Sequence, residues 1–233
     1  MTKTLLSFLF LTWSWSVRAQ TSVLPSVSPT MLVTTADDTE SEETEYEGGA
    51  PLRVRFEAHP ENIGTRTALF EWRFVKEGIA EPLLIRYDEN TEFIFKESGT
   101  FLVKLLVSFV EGTDTVNYEM DEPFRIHIGE SKLELPNAFT PNGDGVNDVF
   151  RAKEGFRSLV EFKAVVINRW GKKLAEWFDP ADGWDGRCNG NDAPDGAYYL
   201  VVQARGADGR RYNIKKTITL LRKHQEIGGT SSH

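Results

Sequence analysis

The chain has 233 residues, of which 40% are hydrophobic and 12% aromatic, so it holds enough apolar material for one or two packed domains. Its formal net charge of -8 repels phosphate backbones, so nucleic acid is not an expected partner. The single cysteine, Cys188, excludes an intramolecular disulfide framework and a thiolate zinc cluster. The folded part is therefore expected to depend on its hydrophobic core.

The N-terminal segment has the pattern of a secretory signal peptide. Lys3 precedes an apolar stretch over residues 5–15, which is shorter than the ~20 residues of a membrane-spanning helix. Small residues then lead to a predicted cleavage site between Ala19 and Gln20. We expect residues 1–19 to direct export and to be removed, and we expect the mature chain not to span a membrane.

Residues 20–49 have the composition of a linker. They are rich in Ser, Thr, Pro and acidic residues and contain few apolar ones. The acidic cluster over residues 37–47 can attract cations, but a run of like charges is more often a solvated tether. The segment is predicted to be a flexible linker.

Residues 50–130 show the period of two that is typical of half-buried strands. Leu52, Val54 and Phe56 alternate with charged side chains. Runs rich in β-branched and aromatic residues predict further strands at residues 68–75, 91–95, 99–107 and 123–128. Short strands separated by Gly, Pro and Asn turns predict an antiparallel β-sandwich.

This first region resembles the PKD-type immunoglobulin-like domains over residues 47–129. The resemblance is carried by the strand motifs at residues 50–58, 71–74 and 98–105. The chain departs from the family at residues 75–79, where a Gly-Asp-Gly turn usually follows the tryptophan-containing strand. The resemblance implies an immunoglobulin-like sandwich.

Residues 131–222 form a second region in which turn-forming residues alternate with apolar anchors. Strands are predicted at residues 161–167, 197–203 and 214–221, with a hairpin loop at residues 206–209. The pattern again predicts a small β-sandwich. The expected fold class is thus all-β, with two consecutive antiparallel β-sandwich domains after the signal peptide and linker.

The second region resembles the gliding motility-associated C-terminal domain of Bacteroidetes, which is the type B sorting domain of the type IX secretion system. Separate motifs follow one another in the family's order at residues 136–150, 167–171, 183–186, 195–199 and 216–222. The residues of this chain that match the family's motifs are Pro136, Asn137, Phe139, Pro141, Asn142, Gly143, Asp144, Gly145, Asn147, Asp148, Phe150, Asn168, Arg169, Trp170, Gly171, Trp184, Asp185, Gly186, Gly196, Tyr198 and Tyr199.

The family domain is typically terminal, so residues 223–233 are a departure from it and are expected to be a flexible tail. The resemblance implies export to the periplasm, followed by recognition of the folded domain at the outer membrane. It also implies a partner, because type B domains are generally paired with a PorP/SprF-like outer-membrane β-barrel and other type IX components. The expected location is the outer membrane or the cell surface.

The loop over residues 142–148 has two interpretations. Asn142, Asp144, Asn147 and Asp148 supply the oxygen atoms that Ca²⁺ prefers. Asn-Gly and Asp-Gly steps are also ordinary turn chemistry, and the loop lacks the spacing and the bidentate Glu of an EF-hand. A structural turn is favoured, calcium is the alternative, and no other cofactor is expected.

Catalytic motifs are not recognised in the sequence, so a non-enzymatic protein is expected. His59 lies in a turn and His127 in a predicted strand, and neither is bracketed by a nucleophile and an orienting acid. Cys188 lies in a loop, where a lone cysteine is more often incidental than reactive.

The aromatic residues raise the question of a carbohydrate platform. Spacing within strands favours core packing for Trp72 and Tyr199, whereas Trp177 and Trp184 flank loops and stay undecided. No sugar site is predicted.

Two functions remain open. The first is a non-enzymatic accessory protein of the type IX secretion system, docked through its C-terminal sandwich on a PorP/SprF-like barrel. It is favoured because no catalytic domain fits beside the two small sandwiches. The second is a secreted cargo adhesin, in which the PKD-like domain binds glycan or protein and the C-terminal domain is only the export signal.

Overall fold

The computed structural model describes residues 23–35 and 38–222. Every regular element within them is a β-strand, which confirms the all-β fold class. The predicted signal peptide, its cleavage site at Ala19 and Gln20, and the tail at 223–233 lie outside the described residues. The strands are β1 Ser26–Val27, β2 Thr30–Thr34, β3 Glu40–Glu43, β4 Glu45–Gly48, β5 Leu52–Glu57, β6 Pro60–Glu61, β7 Thr67–Lys76, β8 Leu84–Arg86, β9 Thr91–Phe95, β10 Gly99–Glu111, β11 Asp114–Glu119, β12 Phe124–Ile128, β13 Ala138–Phe139, β14 Leu159–Ile167, β15 Lys173–Trp177, β16 Arg187–Cys188, β17 Asn191–Asp192, β18 Gly196–Gly206 and β19 Arg211–Leu220.

Strands β1 to β12 form the N-terminal unit, which is built from two main sheets. One sheet has the order β4-β12-β10-β7-β8, with β11 also paired to β10, and the other has the order β3-β2-β5-β9. All strand pairs are antiparallel except β4 with β12. The two sheets share one core because their inward-facing side chains belong to the same buried cluster.

An aromatic group lies at the centre of that core. The Phe56 ring lies 5.7 Å from Trp72 and 5.4 Å from Phe74, measured between ring centroids. All three side chains are fully buried. They stand at alternate positions of β5 and β7, as the period of two predicts.

The flexible linker predicted for residues 20–49 is wrong where the structure describes this segment. The segment contains β1 to β4, and β2 pairs with β5 on one side and β3 on the other. Met31 and Val33 of β2 are fully buried at alternate positions, so two apolar side chains are enough to anchor the strand.

The acidic residues that suggested a tether lie on edge strands. β3 is the edge of its sheet, and β4 is the edge of the other. An edge strand hydrogen-bonds to a neighbour through only one side of its backbone. Its charged side chains, which point above and below the sheet, can stay in water. Glu40 also contacts Arg55 of β5 at 2.8 Å. The first unit therefore begins well before Ala50.

Strands β13 to β19 form the C-terminal unit. Its main sheet has the order β13-β19-β18-β14-β15, and β16 and β17 form a separate two-stranded pair. The predicted strands at 161–167, 197–203 and 214–221 correspond to β14, β18 and β19, and the predicted loop at 206–209 joins β18 to β19. β15, like β11 of the first unit, was not predicted.

Loops form the second layer of the C-terminal unit. Burial alternates along β18, where Tyr198, Leu200 and Val202 are buried and Tyr199 and Gln203 are exposed. The buried face is covered by the irregular segments before β14 and between β15 and β18, which contribute aromatic side chains to the core. The other face of the sheet carries the exposed side chains of β18.

The described residues include no helix of the length and hydropathy needed to cross a bilayer.

The observed β2 generates a direct test of the corrected boundary. Met31→Ala should lower the free energy of unfolding by about 2 to 5 kcal/mol, because it leaves a cavity in the shared core. Leu24→Ala is the matched control from the same segment, since Leu24 is exposed, and it should change stability little. Urea unfolding of both variants measures the difference. Equal, small effects would restore the linker interpretation.

Candidate functional site

Many of the motif residues build the core of the C-terminal unit. The ring centroid of Phe139 lies 5.7 Å from that of Phe150 and 5.3 Å from that of Trp184, and Trp184 lies 5.0 Å from Tyr198. Phe150 and Trp184 also exchange two backbone hydrogen bonds, at 2.9 and 3.0 Å. Trp184, left undecided by the sequence, is therefore a core residue, and so is the buried Trp177.

The loop over residues 142–148 is held by its own side chains. The two carboxylate oxygens of Asp148 accept hydrogen bonds from the Gly143 and Gly145 amides, both at 2.7 Å. One carboxylate oxygen of Asp144 accepts from the Val146 amide at 2.8 Å, and the other accepts from the Asn142 side-chain nitrogen. This pattern is that of a self-capped turn.

The predicted calcium ligands do lie in one loop, but the side-chain oxygens of Asn142, Asp144 and Asp148 accept hydrogen bonds from donors of that loop. Asn142 accepts from the Asp144 amide, and the Asn147 carbonyl accepts from the Thr140 amide at 2.9 Å. Among residues 23–35 and 38–222, no group of three or more His, Cys, Asp or Glu side chains is arranged to hold a metal ion. The geometry fits the turn interpretation.

Two basic side chains, Lys216 in β19 and Arg222 just after it, bond to this loop layer. Arg222 donates to the Pro141 carbonyl at 2.8 Å and to the Gly186 carbonyl at 2.6 Å, and its own amide donates to Asp195 at 3.1 Å. A Cβ on Gly186 would approach the Arg222 guanidinium to 2.9 Å, and the φ of +78° at this position also favours glycine. Arg222 therefore connects three motifs that are far apart in sequence.

Lys216 plays a similar part at the start of the motif region. Its ammonium group donates to the Pro136 carbonyl at 2.9 Å and to the Asn137 side-chain oxygen at 2.5 Å. Burial, with the nearby Lys153 charge, lowers the pKa of Lys216. This role of Lys216 was not predicted from the sequence. Lys216 nevertheless occupies an inward position of β19, in phase with the buried Ile218, and a charge at such a position signals an anchor.

The hairpin turn between β14 and β15 carries Trp170 out into solvent. The Asn168 side-chain oxygen accepts hydrogen bonds from the Trp170 and Lys172 amides at 3.0 and 2.9 Å. Gly171 follows with a φ of +80°. The Trp170 side chain is 77% exposed, and the Arg169 guanidinium lies 4.6 Å from its ring centroid. The turn is thus tightly built, while its largest side chain is left uncovered.

Tyr199 lies beside this turn on the open face of the sheet. It is paired with Ile167 on β14 and with Thr217 on β19, and it is 51% exposed. The expectation that Tyr199 belongs to the core is therefore wrong. The period of two in β18 could have shown this, because the neighbouring Tyr198 takes the inward position.

Trp170 and Tyr199 belong to the same surface cleft. The cleft has a volume of about 630 Å³, and its lining includes Asn168, Trp170, Cys188, Asp192, Asp195 and Tyr199. We call this region the Trp170 cleft. It combines exposed aromatic rings with amide and carboxylate groups, and exposed Trp, Tyr and Arg are the residue types that contribute most to macromolecular binding.

The two units carry charges of opposite sign. Residues 38–130 contain 9 Lys and Arg against 21 Asp and Glu, whereas residues 131–222 contain 15 against 12. On the open face of the C-terminal sheet, Lys163 contacts Glu176 at 2.7 Å and Arg205 contacts Glu161 at 2.6 Å. The C-terminal unit is therefore net basic, whereas the N-terminal unit is strongly acidic.

The two histidines in the described part of the chain, His59 and His127, do not line the Trp170 cleft. His59 Nε2 lies 3.1 Å from the Thr30 hydroxyl and 3.2 Å from a Glu57 carboxylate oxygen. Both contacts use the same ring nitrogen, whereas a catalytic triad places the acid on the other one. His127 contacts only the Thr100 hydroxyl among the described side chains.

Comparison with protein-family models matches residues 133–220 to the CHU_C type IX secretion signal domain. A comparison with curated proteins finds no match. Among solved structures, the chain is similar to dimeric latent PorU from Porphyromonas gingivalis, with 12% identity and a TM-score of 0.26. That alignment covers 88% of this chain and 21% of the PorU chain, so the chain spans about a fifth of that protein's length.

The family match confirms the type IX secretion signal that the C-terminal motifs predicted. It includes the aromatic core, the turn over residues 142–148 and the Trp170 cleft. The PKD-type resemblance of residues 47–129 lies outside the matched range and stays a prediction.

The hydrogen bonds of Arg222 generate a stability prediction. Arg222→Ala leaves the Pro141 and Gly186 carbonyls without their charged donor, so the free energy of unfolding should fall by about 2 to 3 kcal/mol. Arg205→Ala is the control, because its ion pair with Glu161 is exposed and should change stability little. Urea unfolding measures both variants. A loss no larger for Arg222→Ala than for the control would contradict the anchoring role.

Proposed function

We propose that this protein is cargo of a type IX secretion system and that its C-terminal unit is the signal recognised by the secretion machinery. The proposal is carried by the match of residues 133–220 to the type IX secretion signal domain. The expected destination is the outer membrane or the cell surface, after transit through the periplasm.

The Trp170 cleft is the surface we expect the machinery to contact. Many other motif residues are engaged in the core, in the turn over 142–148 or in anchoring bonds, and so have a structural role. Arg169, Trp170 and Tyr199 are motif residues whose side chains face solvent instead. An exposed tryptophan adds little core packing, and Trp, Tyr and Arg are the residue types enriched at binding hot spots.

A PorP/SprF-like outer-membrane barrel is the partner that the type B resemblance suggests. Two features support a contact through the C-terminal unit. The C-terminal unit has a small net positive charge, and the strongly acidic N-terminal unit precedes it in the sequence. Tyr199, near the start of β18, and Ala207, just past its end, are about 27 Å apart along the chain, so we expect docking at the cleft to leave the N-terminal unit clear of the partner.

The N-terminal unit is proposed to be a non-enzymatic binding module exposed by export. It is a two-sheet sandwich with edge strands and a net acidic surface, which suits recognition of protein or glycan. The accessory function within the secretion system is the competing candidate. The accessory function requires in addition that other exported proteins depend on this protein for their secretion.

The contact at the Trp170 cleft is tested by substitution in the full chain. Trp170→Ala should leave stability within about 0.5 kcal/mol, since the side chain is exposed. It should reduce the amount of protein at the cell surface and weaken binding to the purified barrel about tenfold or more. Tyr87→Ala is the matched control, because Tyr87 is an exposed aromatic residue of the N-terminal unit. Normal surface delivery of the Trp170 variant would exclude this surface as the contact.

Cargo and accessory functions are separated by deletion of the gene. If the protein is cargo, other type IX substrates should reach the cell surface at wild-type levels. Quantitative mass spectrometry of periplasmic and surface fractions measures this. Accumulation of several other precursors in the periplasm would instead favour the accessory function.

A further inference from the structure

The chain passes from one unit to the other over residues 129–132, and this connection is bonded along its whole length. The Gly129 amide donates to the Gly48 carbonyl at 2.9 Å. Lys132 and Arg157 exchange two backbone hydrogen bonds, at 3.0 and 3.1 Å. Ser131 between them is only 5% exposed. Glu130 and Lys132 are exposed, but the backbone of the segment is hydrogen-bonded to both units, unlike that of an ordinary interdomain linker.

Ser158 links the connection to both units. Its hydroxyl donates to the Gly129 carbonyl at 2.7 Å and accepts from the Ala50 amide at 3.3 Å. Its carbonyl accepts from the Ala207 amide at 2.8 Å. Ser158 is 2% exposed and has a φ of +51°, a conformation that non-glycine residues adopt only where the surroundings hold them.

The hairpin between β18 and β19 also enters the N-terminal unit. The Ala207 carbonyl accepts a hydrogen bond from the Ser98 amide at 3.0 Å, and the Ser98 hydroxyl donates to the Gly129 carbonyl at 2.9 Å. The Ala207 side chain is buried in the N-terminal core cluster, against which Val160 also packs. Part of the C-terminal unit therefore completes the core of the first unit.

Asp208 holds the connection from the other side. The Ser131 hydroxyl and amide donate to the two Asp208 carboxylate oxygens at 2.8 and 3.3 Å, and Tyr212 contacts the same hydroxyl at 2.9 Å. Burial opposes ionisation, but the bonds from Ser131 and from the Arg210 amide outweigh it and lower the pKa of Asp208. The carboxylate is thus fixed as a charged acceptor.

We propose that this junction locks the signal domain to the N-terminal unit, so that the signal is not cut away at the junction and stays on the exported protein. The part of this inference that concerns the exported protein rests on the proposed function, whereas the lock itself is a property of the folded chain alone. A protease needs several residues of accessible backbone, and residues 129–132 can supply them only if the bonds on both sides open. The retained unit keeps the Trp170 cleft available for attachment at the surface.

The lock is tested first on the purified full chain. Thermolysin digestion under native conditions, followed by mass spectrometry of the new termini, should show no early cut at residues 129–132. Asp208→Ala and, separately, Ser131→Ala should increase the rate of cutting there about tenfold. Asp114→Ala, in an exposed hairpin of the N-terminal unit, is the matched control and should not change that rate. Rapid cutting of the wild-type junction would overturn the proposal.

The second measurement is the mass of the protein recovered from the cell surface. Both units should be present on one chain. A surface protein that ends near residue 130 would overturn the lock while leaving the export function intact. Failure of the chain to reach the surface would count against the proposed function instead, and the digestion of the purified chain would still decide the lock.

Discussion

The C-terminal unit depends on one constraint, which is that loops rather than a second extended sheet must cover its hydrophobic face. Loops offer no repeating ladder of backbone bonds, so each segment needs its own anchor. Trp184 supplies one by packing between Phe139 and Tyr198, and its indole nitrogen donates to the Arg187 carbonyl at 2.7 Å. Arg222 supplies another. The density of motif residues in this region follows from that need.

The same constraint divides the motif residues into those that hold the loop layer and those whose side chains are left exposed. A motif residue that is engaged in the loop layer shapes the fold, and it can affect a partner only through that fold. Trp170 differs, because Asn168 and Gly171 fix the turn while the indole remains in water. The proposed contact with the secretion machinery therefore lies on a folded surface rather than on an extended peptide. Stability and recognition can therefore be altered by different substitutions.

Local sequence patterns predicted the strands well where one face is buried. The alternation of Leu52, Val54 and Phe56 identified β5, and the predicted strand at 91–95 coincides with β9. The pattern failed for β3 and β4, because an acidic edge strand has the composition of a solvated tether. The edge strands differ from a tether because β3 pairs with β2 and β4 pairs with β12. The composition of β2 marks it only weakly as a strand, and β12 is distant from β4 in the sequence.

The contacts that join the two units could not be predicted from the sequence either, because they connect residues that are distant in the chain. Ser158 bonds to Ala50, 108 positions earlier, and nothing in the local sequence of either residue marks the pair. The Trp170 cleft is similar, since Cys188 and Tyr199 enter it from different strands. Because β18 carries Tyr199 near its start and leads into Ala207 beyond its end, one strand connects the Trp170 cleft to the core of the N-terminal unit. The signal domain and the N-terminal unit are thus parts of one folded body, and under our proposal a partner that holds the Trp170 cleft also holds the N-terminal unit.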